Sequence, residues 1–334
     1  MTCVGIIANP ASGKDIRRLV AHGSVFSNQE KVNIVRRLLL GLDAMGVDTV
    51  LTMPDAFDIC GKAQAPITLQ AVVQQLDMPV QFSSEDTTLA ATRMQELGVD
   101  CIVTLGGDGT NRALAKAAGA TPILPLSTGT NNVFPYMIES TLAGLAAGIV
   151  AQRLVTTAEA IVQRPRLDLE VNGQIVDLAL VDAVVCDEQF IGARAVWDIT
   201  KVRLVVVAQR LPAQIGFMAL AGNLSDSALP LTQKHCGMII ETHPEAPPVL
   251  APIAPGYIVP VGVRRAAPLA AGEQVEVPAG SYIIALDGER ERIFRQQDRV
   301  VIRLNPQGPR VIDPHLVLAQ AAQQGVFFQR HKLP

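Results

Sequence analysis

The stretch Cys101-Ile102-Val103-Thr104-Leu105-Gly106-Gly107-Asp108-Gly109-Thr110-Asn111 decides how this chain is read. Residues 101–105 are a short apolar run that stops at glycine, the pattern of a buried strand. Residues 112–118 then read as a helix. The three glycines between them let the backbone approach a ligand closely and turn its amides toward phosphate oxygens. A helix N-terminus placed after such a loop favours an anion. An acid inside an anion-binding loop is electrostatically unfavourable unless it has a task. Asp108 suits two: holding Mg²⁺, or accepting the proton of an attacking hydroxyl. The plainer alternative is a tight strand–helix turn with Asp108 as its capping residue.

Working outward, the first half alternates between strands and amphipathic helices. Residues 4–8 form an apolar strand that breaks at Asn9-Pro10. A helix is expected over residues 28–45, with Val32, Val35, Leu39, Leu42 and Met45 on one stripe and Gly46 as its stop. Residues 47–53 and 121–126 read as further strands. Asp86 is placed as the cap of a helix running to Leu97, closed by Gly98. Strands separated by helices predict a parallel sheet covered on both faces, a Rossmann-like α/β domain.

The second half changes character. Residues 167–171, Asn172-Gly173 and residues 174–185 give a strong hairpin signal. Residues 203–208, 238–241 and 300–304 are short strands, and Asp287-Gly288 joins two more over 281–286 and 290–294. The proline-rich stretch 242–260 suits loops and sheet edges. Residues 315–324 look helical. The expected division is an α/β nucleotide-binding domain over 1–135, an all-β domain over 136–310, and a helical tail over 311–334 that packs back on the first domain.

Composition sets the outer limits. The 334 residues suffice for two cores, and 49% are hydrophobic, which fits a folded protein and not a disordered one. A net charge of −3 with interspersed signs argues against nucleic acid or anionic lipid as the main partner. The five cysteines show no paired spacing, so buried thiols are expected in place of a zinc site or disulfide framework. The start lacks a signal-peptide pattern and no segment is long and apolar enough for a bilayer, so a cytoplasmic protein is expected. Low aromatic content, 4%, weighs against stable membrane association.

Three further segments carry chemistry. Ser127-Thr128-Gly129-Thr130-Asn131-Asn132 follows an apolar strand and offers small hydroxyl and amide groups for ribose or phosphate. Two such loops at successive strand ends would line one edge of the sheet, where α/β proteins bind ligands. Asn9-Pro10-Ala11-Ser12-Gly13-Lys14 resembles a phosphate loop without Walker A spacing, and Lys14 either reaches a phosphate or is solvated. Asp287-Gly288-Glu289 contains an ideal two-residue turn that leaves Glu289 unexplained. Asp187-Glu188 is another acidic pair, ending the apolar run 179–185, either a solvated turn or polar groups at the rim of a site.

Taken together, Gly-Gly-Asp-Gly-Thr after a strand, the Asn-Pro-Ala-Ser-Gly-Lys opening, the Gly-Thr-Asn loop and the late Asp-Gly-Glu resemble the superfamily of NAD kinases and diacylglycerol or sphingosine kinases. Within it, Asn9 to Lys14, Asp15-Ile16-Arg17-Arg18 and the 127–132 loop most resemble the ATP-NAD-kinase-like family of acetoin catabolism protein X. The resemblance implies a Rossmann-like domain, a C-terminal β-sandwich and an active site between them. It implies ATP or polyphosphate as donor, Mg²⁺ or another divalent cation, and a homo-oligomer. Asp108 would be the catalytic aspartate and a metal ligand. Asn9, Lys14, Gly106, Gly107, Gly109, Thr110, Asn111, Thr128, Gly129, Thr130, Asn131 and Asn132 would surround the nucleotide. Asp187 and Glu188 stand where NAD kinases carry an Asn-Glu pair for ribose and nicotinamide. Asp287 would join them at the acceptor, and Glu289 matches the glutamate with which lipid kinases activate a hydroxyl. The chain departs from NAD kinases at residues 213–219, which lack the Gly-Ser-Thr-Ala-Tyr hydroxyls. Three readings follow: a kinase for the 2′-hydroxyl of NAD, placed first; a kinase for a lipid or small-metabolite alcohol; and a nucleotide-binding regulator without catalysis.

Overall fold

The computed structural model describes residues 1–12, 21–24, 26–156, 158–187, 198–224 and 236–328. The first sheet is built on β1 (Cys3–Ala8), β2 (Thr49–Thr52), β3 (Val72–Gln75), β4 (Cys101–Gly106) and β5 (Ile123–Ser127). They run parallel in the order β3-β2-β1-β4-β5. The register sets Ala8 beside Leu105 and Gly106 beside Ser127. The loops after β1, β4 and β5 therefore leave the sheet side by side at its carboxyl edge, where α/β sheets bind ligands.

Helices cover both faces. Helix α1 (Asn28–Ala44) is capped by Ser27, whose hydroxyl accepts from the Glu30 N–H at 3.1 Å, and it buries Val32, Val35, Leu38, Leu39 and Leu42. Helix α2 (Ile59–Gln64) is a short turn beside it. Helix α3 (Ser84–Glu96) corrects one expectation: its cap is Ser83, and Asp86 sits in the first turn. There Asp86 completes a capping box, accepting from the Ser83 N–H, which puts a carboxylate over the positive end of the helix. Helix α4 (Asp108–Ala115) starts at the motif aspartate itself. Helix α5 (Ser140–Ala151) lies so close to α1 that a Cβ on Gly41 would sit 2.6 Å from the Thr141 carbonyl oxygen.

The expected division at 135 and 136 falls ahead of α5, which packs against α1 and the first sheet. Two more strands join that sheet: β6 (Ile161–Gln163), and from the far end of the chain β18 (Arg310–Ile312), parallel to β5 and antiparallel to β6. Helix α6 (Met218–Asn223) belongs to the second half, and α7 (Pro314–Gln323) packs on α5.

The second half is a sandwich. Its larger sheet contains β9 (Asp182–Cys186), β10 (Val202–Val207), β11 (Gly237–Thr242), β12 (Pro248–Ala254), β13 (Tyr257–Leu269), β15 (Tyr282–Leu286) and β16 (Glu289–Phe294). The order is β12-β13-β11-β10-β9-β15-β16, antiparallel throughout. The smaller sheet pairs β14 (Gln274–Glu276), β17 (Val300–Asn305), β7 (Arg166–Val171) and β8 (Gln174–Ala179) in that order. Leu167, Leu169, Ile302 and Leu304 meet Val185, Leu204, Val206 and Ile284 between the sheets. The alternate residues Val184, Val205, Val207 and Ala285 are buried on the opposite face, in the core shared with α6 and with Leu114 of α4. Burial on both faces is why these strands read as continuous apolar runs.

Two strand expectations need correcting. The run 174–185 is not one strand: it breaks at Leu180-Val181, and β8 and β9 lie in different sheets. The amides at the break are satisfied by a side chain instead of a ladder, since both donate to Asp287 Oδ1, at 2.9 and 2.8 Å. The proline-rich stretch 242–260 does build a sheet edge, β12, but it also contains the start of the 13-residue β13. No disulfide forms among the described cysteines, of which Cys60, Cys101 and Cys186 are buried. Among the described residues no helix is long and apolar enough to cross a membrane.

Candidate active site

The loop after β4 is held to the segment after β5 by Asp108. Asp108 as a whole is 9% exposed, and its carboxylate accepts the Phe134 N–H at 2.8 Å and the Val133 N–H at 3.1 Å. Gly107 caps the helix, and a Cβ there would lie 2.6 Å from Asn132 Oδ1. Asn132 is fixed by its own Nδ2, which donates to Ser127 Oγ at 2.8 Å and to the Gly129 carbonyl at 3.3 Å. Glycine at 107 is thus required by a close approach and not by its backbone angle. Asn111 is fully buried and braces the loop from behind, accepting from Thr104 Oγ1 at 2.7 Å and donating to the Gly107 carbonyl at 2.9 Å.

The loop after β1 joins them from the other side. Asn9 Nδ2 donates to Thr110 Oγ1 at 2.9 Å, and Ser12 Oγ lies 3.0 Å from Thr128 Oγ1. Beneath this loop Lys31 is 1% exposed, and its ammonium donates to the carbonyls of Asn9, Pro10 and Ser12 at 2.9, 3.3 and 3.0 Å. Thr130 is exposed at the outer end, where its hydroxyl accepts the Ser24 N–H.

The sandwich contributes the turn between β15 and β16. Asp287 and Gly288 both take positive φ, 52° and 77°, the two-residue turn that Asp-Gly favours. Asp287 is buried, with Oδ1 on the Leu180 and Val181 amides and Oδ2 3.9 Å from Arg112 Nε on α4. Arg112 also donates to the Leu286 carbonyl at 3.4 Å. Burial pushes the Asp287 carboxyl well above the usual carboxylate range. Arg112 opposes that shift, while the charges of Asp108 and Asp182 add to it. The turn carries Glu289 onto the motif, its carboxylate 3.8 Å from where a Cβ on Gly109 would stand. Asp108, Asn131, Val133, Asp182, Phe217 and Asp287 line a small cavity between the halves, about 20 Å³, room for one water.

The expected residues divide clearly. Asn9, Gly106, Gly107, Asp108, Gly109, Thr110, Asn111, Thr128, Gly129, Asn131, Asn132, Asp287 and Glu289 gather at this edge. Asp187 does not: it follows the far end of β9, is solvent-exposed and pairs with Arg203 at 3.1 Å. At ~3.3 Å per strand residue it stands about 16 Å from Asp182. Lys14 and Glu188 lie outside the described residues. Three buried charged groups escaped the sequence reading. Lys31 sits at helical spacing with Val35, Leu38 and Leu42, all buried, so a cation on an apolar stripe was the available signal. Asp182 is an acid inside the apolar run 178–185. Arg112 had no signal beyond its place after the motif.

Among the described residues no three His, Cys, Asp or Glu side chains are grouped to hold a metal ion. Comparison with known proteins agrees with this two-part construction. Residues 4–154 match the family model of the ATP-NAD kinase N-terminal domain, and residues 165–307 that of the acetoin catabolism protein X C-terminal domain. Acetoin catabolism protein X of Cupriavidus necator is 41% identical over 326 residues, spanning 93% of this chain and 89% of its own. A solved structure from Bacillus anthracis str. Sterne, provisionally described as a diacylglycerol kinase, covers 92% of this chain and 96% of its own at 13% identity, with a TM-score of 0.39. At that score the likeness carries no argument. Identity over nearly the full length of both chains, with two domain matches that follow one another on either side of β6, makes this kinase-like protein a member of the acetoin catabolism protein X family.

Proposed function

We propose that the protein transfers the terminal phosphoryl group of ATP to the hydroxyl of a small, uncharged alcohol. The observation that carries this reading is the approach of Glu289, from the second half of the chain, to Gly109, the residue that follows Asp108 in the motif of the first. The loops after β1, β4 and β5 and the N-terminus of α4 receive the triphosphate. Asp108 is held by two amides and orients the reacting groups. The acceptor oxygen attacks the γ-phosphorus, the bond to the ADP oxygen breaks, and Glu289 takes the hydroxyl proton. A divalent ion would arrive on the phosphates, since Mg²⁺ needs only one or two carboxylates in addition. Asp108 is the residue we assign to it, and its contribution is to neutralise phosphate charge.

Two observations favour a small neutral acceptor. On the acceptor side, no lysine or arginine is among the described residues that line the cavity, so nothing there favours a second phosphate-bearing ligand. The half that supplies Asp182 and Asp287 matches the acetoin catabolism protein X model, and the Cupriavidus necator relative's name links it to breakdown of a small hydroxyketone. The match of residues 4–154 to the ATP-NAD kinase domain supports a second reading, in which the 2′-hydroxyl of NAD is the acceptor and NADP the product. Polyphosphate is the donor to test beside ATP.

The deciding experiment incubates the protein with labelled ATP or polyphosphate and Mg²⁺ against glycerol, 2,3-butanediol, acetoin, NAD and diacylglycerol. Label transfer to a small alcohol, lost in Glu289→Gln while ATP still binds, supports the first reading. Transfer to NAD alone moves the assignment to the second. Tight ATP binding without transfer to any acceptor would leave a nucleotide-binding regulator.

A further inference from the structure

We infer that Arg164 is a positioning residue for Asp108, a role that rests on the kinase reading above. Arg164 falls between the two matched spans, at the junction where the chain leaves β6 for the sandwich. Its N–H donates to the Pro309 carbonyl at 3.0 Å, so the outgoing connection runs antiparallel beside the one that returns to β18. A Cβ on Gly308 would collide with the Arg164 carbonyl, so the two connections lie in close contact here.

The side chain reaches from that paired junction to the segment that holds Asp108. Nη1 donates to the Phe134 carbonyl at 3.1 Å and Nη2 to the Tyr136 hydroxyl at 2.7 Å. The guanidinium also lies over both rings, 5.2 Å from the Phe134 centroid and 5.1 Å from that of Tyr136. Phe134 is the residue whose N–H grips Asp108 Oδ1 at 2.8 Å. Tyr136 is in turn tied to β5, its N–H donating to the Pro125 carbonyl at 2.9 Å and its carbonyl accepting the Ser127 N–H at 2.8 Å.

Residues 133–136 are therefore held between Asp108 on one side and Arg164 on the other. A displacement of the junction moves the guanidinium, then Phe134, then the Asp108 carboxylate. Planarity matters here, because one flat fork satisfies two acceptors and two ring faces together, and a lysine ammonium satisfies only part of this set.

The test compares wild type, Arg164→Lys and Arg164→Met. Turnover of MgATP is measured with the best acceptor found above, or with water as acceptor. The Asp108 carboxyl ¹³C resonance is followed alongside, assigned by its loss in Asp108→Asn. In Arg164→Met, kcat should fall about tenfold to a hundredfold, the order that misplacing a reacting group costs, with the KM for MgATP within about twofold. Arg164→Lys should fall between, and the Asp108 resonance should move in both. An unmoved resonance with unchanged kcat overturns the inference. So does a fall in kcat that merely follows a loss of folded protein and of MgATP affinity. A wild type without turnover would sink the kinase reading instead, and the resonance alone would then decide the role of Arg164. If Arg164→Met does not fold, Arg164→Lys carries the same comparison.

Discussion

Asp287 Oδ2 lies 3.9 Å from Arg112 Nε, and this pair joins the hairpin turn of the sandwich to the motif helix of the first domain. Both side chains are almost wholly enclosed, 1% and 8% exposed. Among the described residues Oδ2 has no hydrogen-bond partner, whereas Oδ1 holds the amides at the break between β8 and β9. The turn that delivers Glu289 is therefore secured by a carboxyl that burial drives toward its neutral form.

This gives a stability prediction with a definite sign. The folded-state pKa of Asp287 is raised, so the folded protein binds the proton more tightly than the unfolded chain does. The associated stability is fully present below about pH 4, where aspartate titrates in unfolded chains, and is lost as pH rises toward the folded value. Asp287→Asn keeps the oxygen that accepts the two amides and removes the titration. Urea midpoints measured from pH 4 to 8 should show the variant gaining on wild type as pH rises. Parallel curves would show that Asp287 does not titrate differently on folding.

Asp108→Asn should slow turnover by ~10² or more, the order that misplacing the reacting groups costs. It also weakens the grip of the carboxylate on Val133 and Phe134, so a stability loss of about 1–2 kcal/mol should accompany it. Steady-state kinetics on protein shown to be folded separate the two effects. A variant that turns over near the wild-type rate would remove Asp108 from the chemistry.

Gly107→Ala should push Asn132 away from Ser127 and Gly129, because the new methyl would stand 2.6 Å from its side-chain oxygen. Calorimetric affinity for MgATP should fall about tenfold, roughly the effect of losing one well-made polar contact. Unchanged affinity would mean that the 127–132 loop does not touch the nucleotide.

Lys31→Met keeps the bulk of the side chain and strips the donors from three loop carbonyls. Buried acceptors left without partners should lower stability by roughly 2–4 kcal/mol. Chemical denaturation checks this, and a loss under about 1 kcal/mol would mean that water replaces the ammonium readily. Asp187→Ala provides the contrast. It removes an exposed pair with Arg203, so turnover should stay within about twofold of wild type, as for most surface ion pairs. A large loss of turnover would bring Asp187 back into the acceptor site.

How much was legible in the sequence differs between the two halves of the chain. Parallel strands and their covering helices in the first half could be read from periodicity, because each helix shows one buried stripe and each strand a short apolar run. The sandwich could be read as β, but its strand breaks could not. Residues 174–185 look like one strand, since the interruption at Leu180-Val181 is made by a carboxylate more than a hundred positions away. The place of α5, β6 and β18 in the first sheet system was equally hidden, because it depends on pairing between distant segments.

The chain by itself determined the chemical ingredients of the site: a glycine loop carrying Asp108, two companion loops at strand ends, and an Asp-Gly turn followed by Glu289. Local backbone demands and residue type are enough for that, since glycine, a capping residue and a tight turn act within a few positions. Only the tertiary structure decided which of these groups meet. It brought Glu289 to Gly109, enclosed Asp287 with Arg112, set Lys31 under the first loop and left Asp187 in solvent with Arg203. The physical reason is that burial and charge pairing between segments far apart in the chain depend on strand register and domain packing, which no local pattern encodes.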